Sequence, residues 1–382
     1  MKSLLVSGIY FPPQDGGISN YMASIAAAMG PPQTCCLTGV PADKNHENLG
    51  ERVRIYRRPT AFRKEAHIQA AGFAAAILEI MLRERPRAVQ LATANDGYIG
   101  LWLHQWFKLP FVVYAHGNEV LHAMQSSWPK PRLTLHRAAR VLANSRFTAE
   151  LVEKAGVPSH KIEIIRPGCD IQRFQPCKPT IAVRKEILGQ HWNHRVILSV
   201  GNLVERKGND MVIKALPRVL ESVPDVVYLI VGDGPYRAEL EKLALAREVQ
   251  ERVIFAGRVS DQLLPRIYGL SDVIAMPSRE RLELCDVEGF GMVFLEASAC
   301  AKPVIGGRSG GIEDAVIAGV TGLLANPLDV EDIARALTHI LLNQDFAARL
   351  GQRGRERVVA KFTWAHVANL VSGILESVLS EV

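Results

Sequence analysis

No stretch of this sequence is apolar for long enough to cross a bilayer as a helix. The longest, AAGFAAAILEIML from Ala70 to Leu82, carries Glu79 and falls short of the about 20 apolar residues a helical span needs. Cysteine is sparse and unpatterned. Cys35, Cys36, Cys169, Cys177, Cys285 and Cys300 show no CxxC or Cys/His spacing, which argues against a disulfide framework and a structural zinc site and leaves reduced, packing thiols. Asp-x-Asp is missing, and no His/Glu/Asp set has a metal-ligand spacing such as HExxH, so a metal-dependent transfer centre is disfavoured and neither metal nor other cofactor is expected. The sequence also lacks GxSxG and the P-loop GxxxxGK, which removes the simplest hydrolase and P-loop readings. VGDGP, from Val231, lacks the third glycine of GxGxxG and is poor support for NAD. Internal repeats and low-complexity tracts are absent.

What is present is ordinary for a folded protein: 382 residues, 48% hydrophobic and 22% charged. That length exceeds what one core usually organises, so two domains with a cleft between them are expected. The N-terminal run MKSLLVSGIY is followed by Pro12 and Pro13 without a small-residue cleavage site. It reads as a buried first strand, and the chain is expected in the cytoplasm. A formal charge of +6, from 45 basic and 39 acidic residues without long blocks, favours small anionic ligands or a lipid surface over nucleic acid.

Short β-branched runs alternate with helical patterns. SLLVSGI, CCLTGV, AVQLAT, FVVYAHG and ARVLANS form one series, and VILSVGN, VVYLIVGDG, RVIFAGR, DVIAMPS and KPVIGG a second, on either side of the Pro-punctuated stretch 167–179. The pattern predicts an α/β protein of two Rossmann-like, doubly wound domains facing across a cleft. Residues 1–178 are assigned to the first domain and 179–362 to the second. The tail 363–382 is expected as an amphipathic helix returning to the first, with Thr363 as N-cap and Trp364, Val367, Leu370, Val371, Ile374, Leu375 and Val378 on one face.

The densest chemical signal is DVEGFGMVFLEASACAKPVIGG. Glu288 and Glu296 bracket a Gly-rich loop that feeds a helix. The free amides of Phe290, Gly291 and Met292 suit a phosphate or sugar hydroxyl, and the two carboxylates can accept from hydroxyl groups. A cap and a surface glutamate form the competing account. VGNLVERKGND puts Asn202, Arg206 and Lys207 in a Gly-bounded loop after a buried strand, where cations can meet a diphosphate; a solvated basic turn is the alternative. PPQDGGISNY presents the amides of Gly16 and Gly17, or is a plain flexible loop, and HGNEV places His116 at a strand end.

In this order these motifs, with ANSRFT, IRPGCDIQRF, FAGRVSDQLLPRIY and SGGIEDAVIAGVTGLL, resemble family 4 of the retaining glycosyltransferases, of GT-B fold, nearly end to end. The long spacer MPSRERLELCDVEGFG is closest to the bacterial branch containing phosphatidylinositol-mannoside mannosyltransferases. The resemblance implies a hexose moved from a nucleotide-diphosphate sugar to a hydroxyl acceptor, with GDP-mannose first and UDP-glucose or UDP-GlcNAc next. It also implies catalytic roles for His116, Lys207 and Glu288. Glu296 would accept from ribose and Glu288 from the donor sugar, with Lys207 and the amides of Phe290, Gly291 and Met292 on the diphosphate. Gly17 would touch phosphate or sugar, and His116 a sugar hydroxyl. One departure stands out. The family's pyrophosphate arginine, five residues before the lysine, falls on Asn202, which leaves Arg206 as the candidate replacement. A sugar-nucleotide 2-epimerase of the same architecture and a non-catalytic nucleotide-binding protein are the competing functions. The acceptor is expected to be a sugar or a lipid-linked molecule. Arg54, Arg57, Arg58, Arg63 and Lys64 precede a helical pattern with Ile68, Phe73, Ile77 and Leu78, which suits peripheral membrane contact; an ordinary packed helix is the alternative.

Overall fold

A computed structural model of the chain describes residues 1–14, 16–40, 52–58, 66–127 and 129–381, with the side chains of all of these except 66–73. The chain forms two compact units, Met1–Gly168 with Trp364–Val382, and Cys169–Thr363.

The first unit is built on seven parallel strands: β1 (Ser3–Ser7), β2 (Thr34–Thr38), β3 (Arg54–Arg57), β4 (Ala88–Leu91), β5 (Phe111–Ala115), β6 (Arg140–Ala143) and β7 (Ile162–Ile164). Their order is β3-β2-β1-β4-β5-β6-β7. Four of the five interior strands, β1, β2, β4 and β5, are buried at every residue, as strands covered on both faces by helices are. The closing helix Trp364–Ser380 buries Val367, Ala368, Val371, Leu375 and Val378, while Leu370, expected on that face, is exposed. Within this unit the helix packs beside Gly17–Met29, and Trp364 stacks at a tilt on Tyr21, ring centroids 5.6 Å apart.

The second unit has six parallel strands: β8 (Arg195–Val200), β9 (Val226–Val231), β10 (Val253–Gly257), β11 (Val273–Met276), β12 (Val304–Gly307) and β13 (Gly322–Ala325), ordered β10-β9-β8-β11-β12-β13. Residues 169–178 pack in this unit: Phe174 meets Tyr268 edge-on at 5.7 Å, and the Cys169 amide donates to the Phe362 carbonyl at 2.6 Å. Two apolar clusters cover opposite faces of the sheet. Leu198, Leu229 and Ile274 belong to one and Ile197, Tyr228 and Val273 to the other, the alternation a strand imposes. Both sheets are Rossmann-like, and all ten strands anticipated from the sequence form. β3, β7 and β13 are additions at sheet edges.

Basic residues ahead of the helix Ala66–Glu84 are bound internally. Arg54 pairs with Glu84 at 2.9 Å, Arg58 with Glu79 at 2.6 Å, and Arg57 donates to the Pro12 and Val40 carbonyls. Ile77 is buried and Leu78 exposed. Arg63 and Lys64, and the side chains of Ile68 and Phe73, lie outside the described residues. Among the described residues no helix is long and apolar enough to cross a membrane.

Candidate active site

In each sheet the winding reverses beside the first strand, between β1 and β4 and between β8 and β11. The carboxyl ends of the strands at such a reversal are where doubly wound sheets bind ligands. In the second unit, β8 runs into the loop carrying Asn202, Arg206 and Lys207, and β11 into the loop carrying Glu288. Gly208 closes the first loop at φ 74, where a Cβ would lie 2.2 Å from the Pro277 carbonyl oxygen. Only glycine lets the two loops approach this closely.

The approach assembles an ion cluster. Glu288 Oε2 accepts from Lys207 Nζ at 2.5 Å and Arg206 Nη1 at 2.6 Å, and Arg206 Nε donates to Asp286 Oδ1 at 2.7 Å. Two cations thus face two carboxylates, with the Lys207, Arg206 and Glu288 side chains 12–14% exposed. Burial alone would raise the Glu288 carboxyl, but Lys207 and Arg206 outweigh it and hold it at about 2. Burial depresses the Lys207 ammonium, with Glu288 opposing. Arg206, Lys207 and Glu288, expected to face a diphosphate and a sugar, pair with one another here. Asn202 is exposed at the start of the same loop.

Glu296 lies in the helix Met292–Ala299, where its Oε2 accepts from the Tyr268 hydroxyl at 2.6 Å. Burial raises its carboxyl, opposed by that hydroxyl and by Arg173. The two glutamates therefore sit in separate hydrogen-bond networks. The helix opens at Gly291 with no side chain capping it, which leaves its first-turn amides oriented towards an incoming anion. Phe290 itself is buried in the core, so it offers backbone.

In the first unit, Gly16 and Gly17 open the helix Gly17–Met29, again without a side-chain cap. They line a depression of about 370 Å³ with Ile9, Tyr10, Gln14, Ile18 and Ser19. His116 Nε2 lies 3.0 Å from the Ala92 carbonyl oxygen. A carbonyl only accepts, so Nε2 carries the proton and Nδ1 is the acceptor. Burial holds the imidazole below its usual value, against Glu119 and the Ala92 carbonyl, and the ring is neutral near pH 7. Glu119 accepts from the His116 amide, and its buried Oε2 has no protein partner.

Matches to known proteins give the arrangement its context. Residues 16–173 match the family model described as Glycosyltransferase Family 4, and residues 184–357 the model described as Glycosyl transferases group 1. A GDP-mannose-dependent alpha-(1-6)-phosphatidylinositol monomannoside mannosyltransferase of Mycolicibacterium smegmatis is 33% identical, over 96% of this chain and 97% of the relative. This chain belongs to glycosyltransferase family 4. A monoacylated-substrate counterpart from Corynebacterium glutamicum is 31% identical over 98% of each chain. Among solved structures, Anabaena HepE in complex with UDP superposes with TM-score 0.80 at 21% identity, over 99% of this chain and 100% of that one. The fold is GT-B.

Several residues that hold this glycosyltransferase's site together had no role in the sequence reading. Nη1 of buried Arg279 donates to both Asp210 carboxylate oxygens, at 2.9 and 3.2 Å, and its Nη2 to Glu205 at 3.2 Å, while Arg281 meets Glu205 at 2.8 Å. The Arg279 amide also donates to the Arg206 carbonyl at 2.9 Å. The long spacer before Glu288 thereby clamps the Arg206–Lys207 loop. The Gly310–Gly311 turn backs Glu288: the Gly311 amide donates to its carbonyl at 2.9 Å, and a Cβ on Gly310 would sit 2.4 Å from that oxygen. The only signals for these roles were the arginine-rich spacer and the paired glycines.

Proposed function

We propose that the chain is a retaining, metal-independent hexosyltransferase that moves mannose from GDP-mannose to a hydroxyl of a lipid-linked acceptor. The observation that carries the reading is the Arg206–Lys207–Glu288 cluster beside the uncapped helix at Gly291. Two cations and a set of amides at a sheet reversal suit a diphosphate. The donor sugar follows from the two mannosyltransferase relatives named above, and UDP-glucose and UDP-GlcNAc come next. The phosphatidylinositol mannosides in the relatives' names support the lipid acceptor.

In this reading the diphosphate takes Lys207 and Arg206 from Glu288, and the freed carboxylate accepts from donor-sugar hydroxyls. Arg206, anchored by Asp286, supplies the charge that Asn202 cannot. Glu296, with one oxygen on Tyr268, offers the other to ribose. Within the first unit, the amides of Gly16 and Gly17 suit a phosphate or sugar hydroxyl, and neutral His116 offers Nδ1 as an acceptor. As the anomeric bond breaks, charge grows on the leaving phosphate. Preorganised donors aimed at such charge contribute roughly 3 to 4 kcal/mol each. The bond from the anomeric carbon to the phosphate oxygen breaks, the acceptor's hydroxyl oxygen bonds that carbon from the same face, and the departing phosphate oxygen takes the hydroxyl proton, which retains configuration.

No observation favours the 2-epimerase or the non-catalytic alternative. Thermal-shift screening with GDP, UDP and ADP tests the donor: GDP should give the largest upward shift, and ligand at about a hundred times Kd stabilises by about 2.7 kcal/mol. A shift with UDP and none with GDP would overturn the mannosyl donor.

A further inference from the structure

One stretch of the first unit is basic and almost without carboxylates. Residues 97–149 hold six lysines and arginines and a single carboxylate, Glu119, which is buried. Large apolar side chains are exposed in the same stretch. On the helix Gly97–Phe107 the buried residues are Gly97, Ile99, Gly100 and Leu103. Tyr98, Trp102 and Trp106 recur at a spacing of four, one stripe of a helix. Tyr98 is 41% and Trp106 66% exposed, and Phe107, also exposed, packs against Trp102 with ring centroids 5.6 Å apart.

A second helix, Lys130–Arg137, continues this surface. It packs on the first where Gly97 faces Thr134: a Cβ on Gly97 would fall 1.7 Å from Thr134 Oγ1. Lys130, Leu133 and Arg137 share the Thr134 side of the helix by periodicity, and all three are exposed. Lys108 follows the aromatic helix and is exposed too. The two helices contain no acidic residue.

We propose that the exposed side of these two helices, with Tyr98, Trp102, Trp106, Phe107 and Leu133 and the cations Lys108, Lys130 and Arg137, docks the first unit on an anionic lipid bilayer. Amphipathic aromatic rings settle at the headgroup level of a membrane, and cations beside them are attracted by anionic headgroups. A soluble acidic protein would satisfy the charge but gives no reason for a tryptophan stripe. The inference deepens the lipid-acceptor reading above and rests on it: an enzyme whose acceptor is anchored in a bilayer needs a surface that holds it there.

The test is co-sedimentation of the full chain with phosphatidylglycerol–phosphatidylcholine vesicles and with neutral phosphatidylcholine vesicles, at low and moderate salt. The wild type should pellet on the anionic vesicles, less as salt rises, and stay in solution with the neutral ones. Lys108→Gln/Arg137→Gln should lower the partition coefficient about 25-fold, or about fivefold per cation, and Trp106→Ser/Leu133→Ser by at least as much. Both variants should melt as the wild type does and bind GDP with unchanged affinity. Wild type that stays in solution with anionic vesicles at low salt would overturn the proposal, as would variants that pellet like wild type. So would a concentration-dependent dimer that Trp106→Ser abolishes, seen without vesicle binding. A protein that pellets as expected but binds no nucleotide would sink the donor reading and leave this surface standing.

Discussion

Replacing Lys207 by methionine keeps the length of the side chain and removes one of the two cations facing Glu288. Its fold cost is modest, because Glu288 keeps Arg206 Nη1 at 2.6 Å. Stripping a buried ion of all partners costs about 3–5 kcal/mol, and a carboxylate left with a guanidinium should lose only about 1–2 kcal/mol of that. The catalytic cost is larger. The ammonium lies in a pocket where water screens little, and phosphate charge is greatest as the anomeric bond breaks. Removal of one preorganised donor should therefore lower kcat ~10²- to 10³-fold, while the affinity for bare GDP falls no more than about tenfold, since the ground-state diphosphate needs that charge less. Acceptor-dependent GDP release gives kcat and calorimetry gives Kd. A kcat within a few-fold of wild type, or a loss confined to Kd, would refute this role for Lys207.

Glu288→Gln frees Lys207 and one arm of Arg206, whose Nε stays on Asp286, so GDP should bind as tightly as to wild type or more tightly while transfer slows at least tenfold; weaker GDP binding would contradict the proposed competition between Glu288 and the diphosphate. Glu296→Gln should mainly weaken GDP binding, by about 1–2 kcal/mol for a lost charged hydrogen bond, and calorimetry on the two glutamate variants separates their roles. Turnover should survive EDTA because Arg206 and Lys207 supply the fixed positive charge and no Asp-x-Asp is present; complete, magnesium-reversible loss would refute metal independence. Asp96 accepts from the Gly8 amide at 3.1 Å and the Thr93 hydroxyl at 3.3 Å, near Tyr10, and burial raises its carboxyl to about 7 despite these donors. A carboxyl raised on folding gives stability that is full below about pH 4 and lost as pH climbs towards 7. Asp96→Asn should match wild type at pH 4 and exceed it at pH 8 by up to about 4 kcal/mol; chemical denaturation at both pH values checks this, and equal stabilities at pH 8 would refute it.

The interior strands were legible in the sequence because each is a short, mostly apolar run closed by a small or polar residue. Three of the four edge strands were not, β10 being the exception. β3 is RIYR, β7 has three residues and β13 begins with glycine, and a strand paired on one side need not be apolar throughout. The Glu288 loop and the basic loop were legible as separate strings, since glycine punctuation marks them. Their union was not, because a salt bridge between residues 81 apart leaves no local spacing. The same holds for Arg279 with Asp210, 69 residues apart, and Tyr268 with Glu296, 28 apart. Leu370 fits the apolar period of the last helix, yet that helix buries a narrower stripe than its composition suggests.

The most direct test is a reaction of the purified chain with GDP-mannose and a phosphatidylinositol mannoside, followed by mass spectrometry of the lipid and NMR of its new anomeric carbon. The account predicts one GDP released for each mannosyl group gained, no release without the lipid, and an α linkage matching the donor's configuration. GDP release that ignores the acceptor, a β-linked product, or transfer seen only from a uridine donor would contradict it.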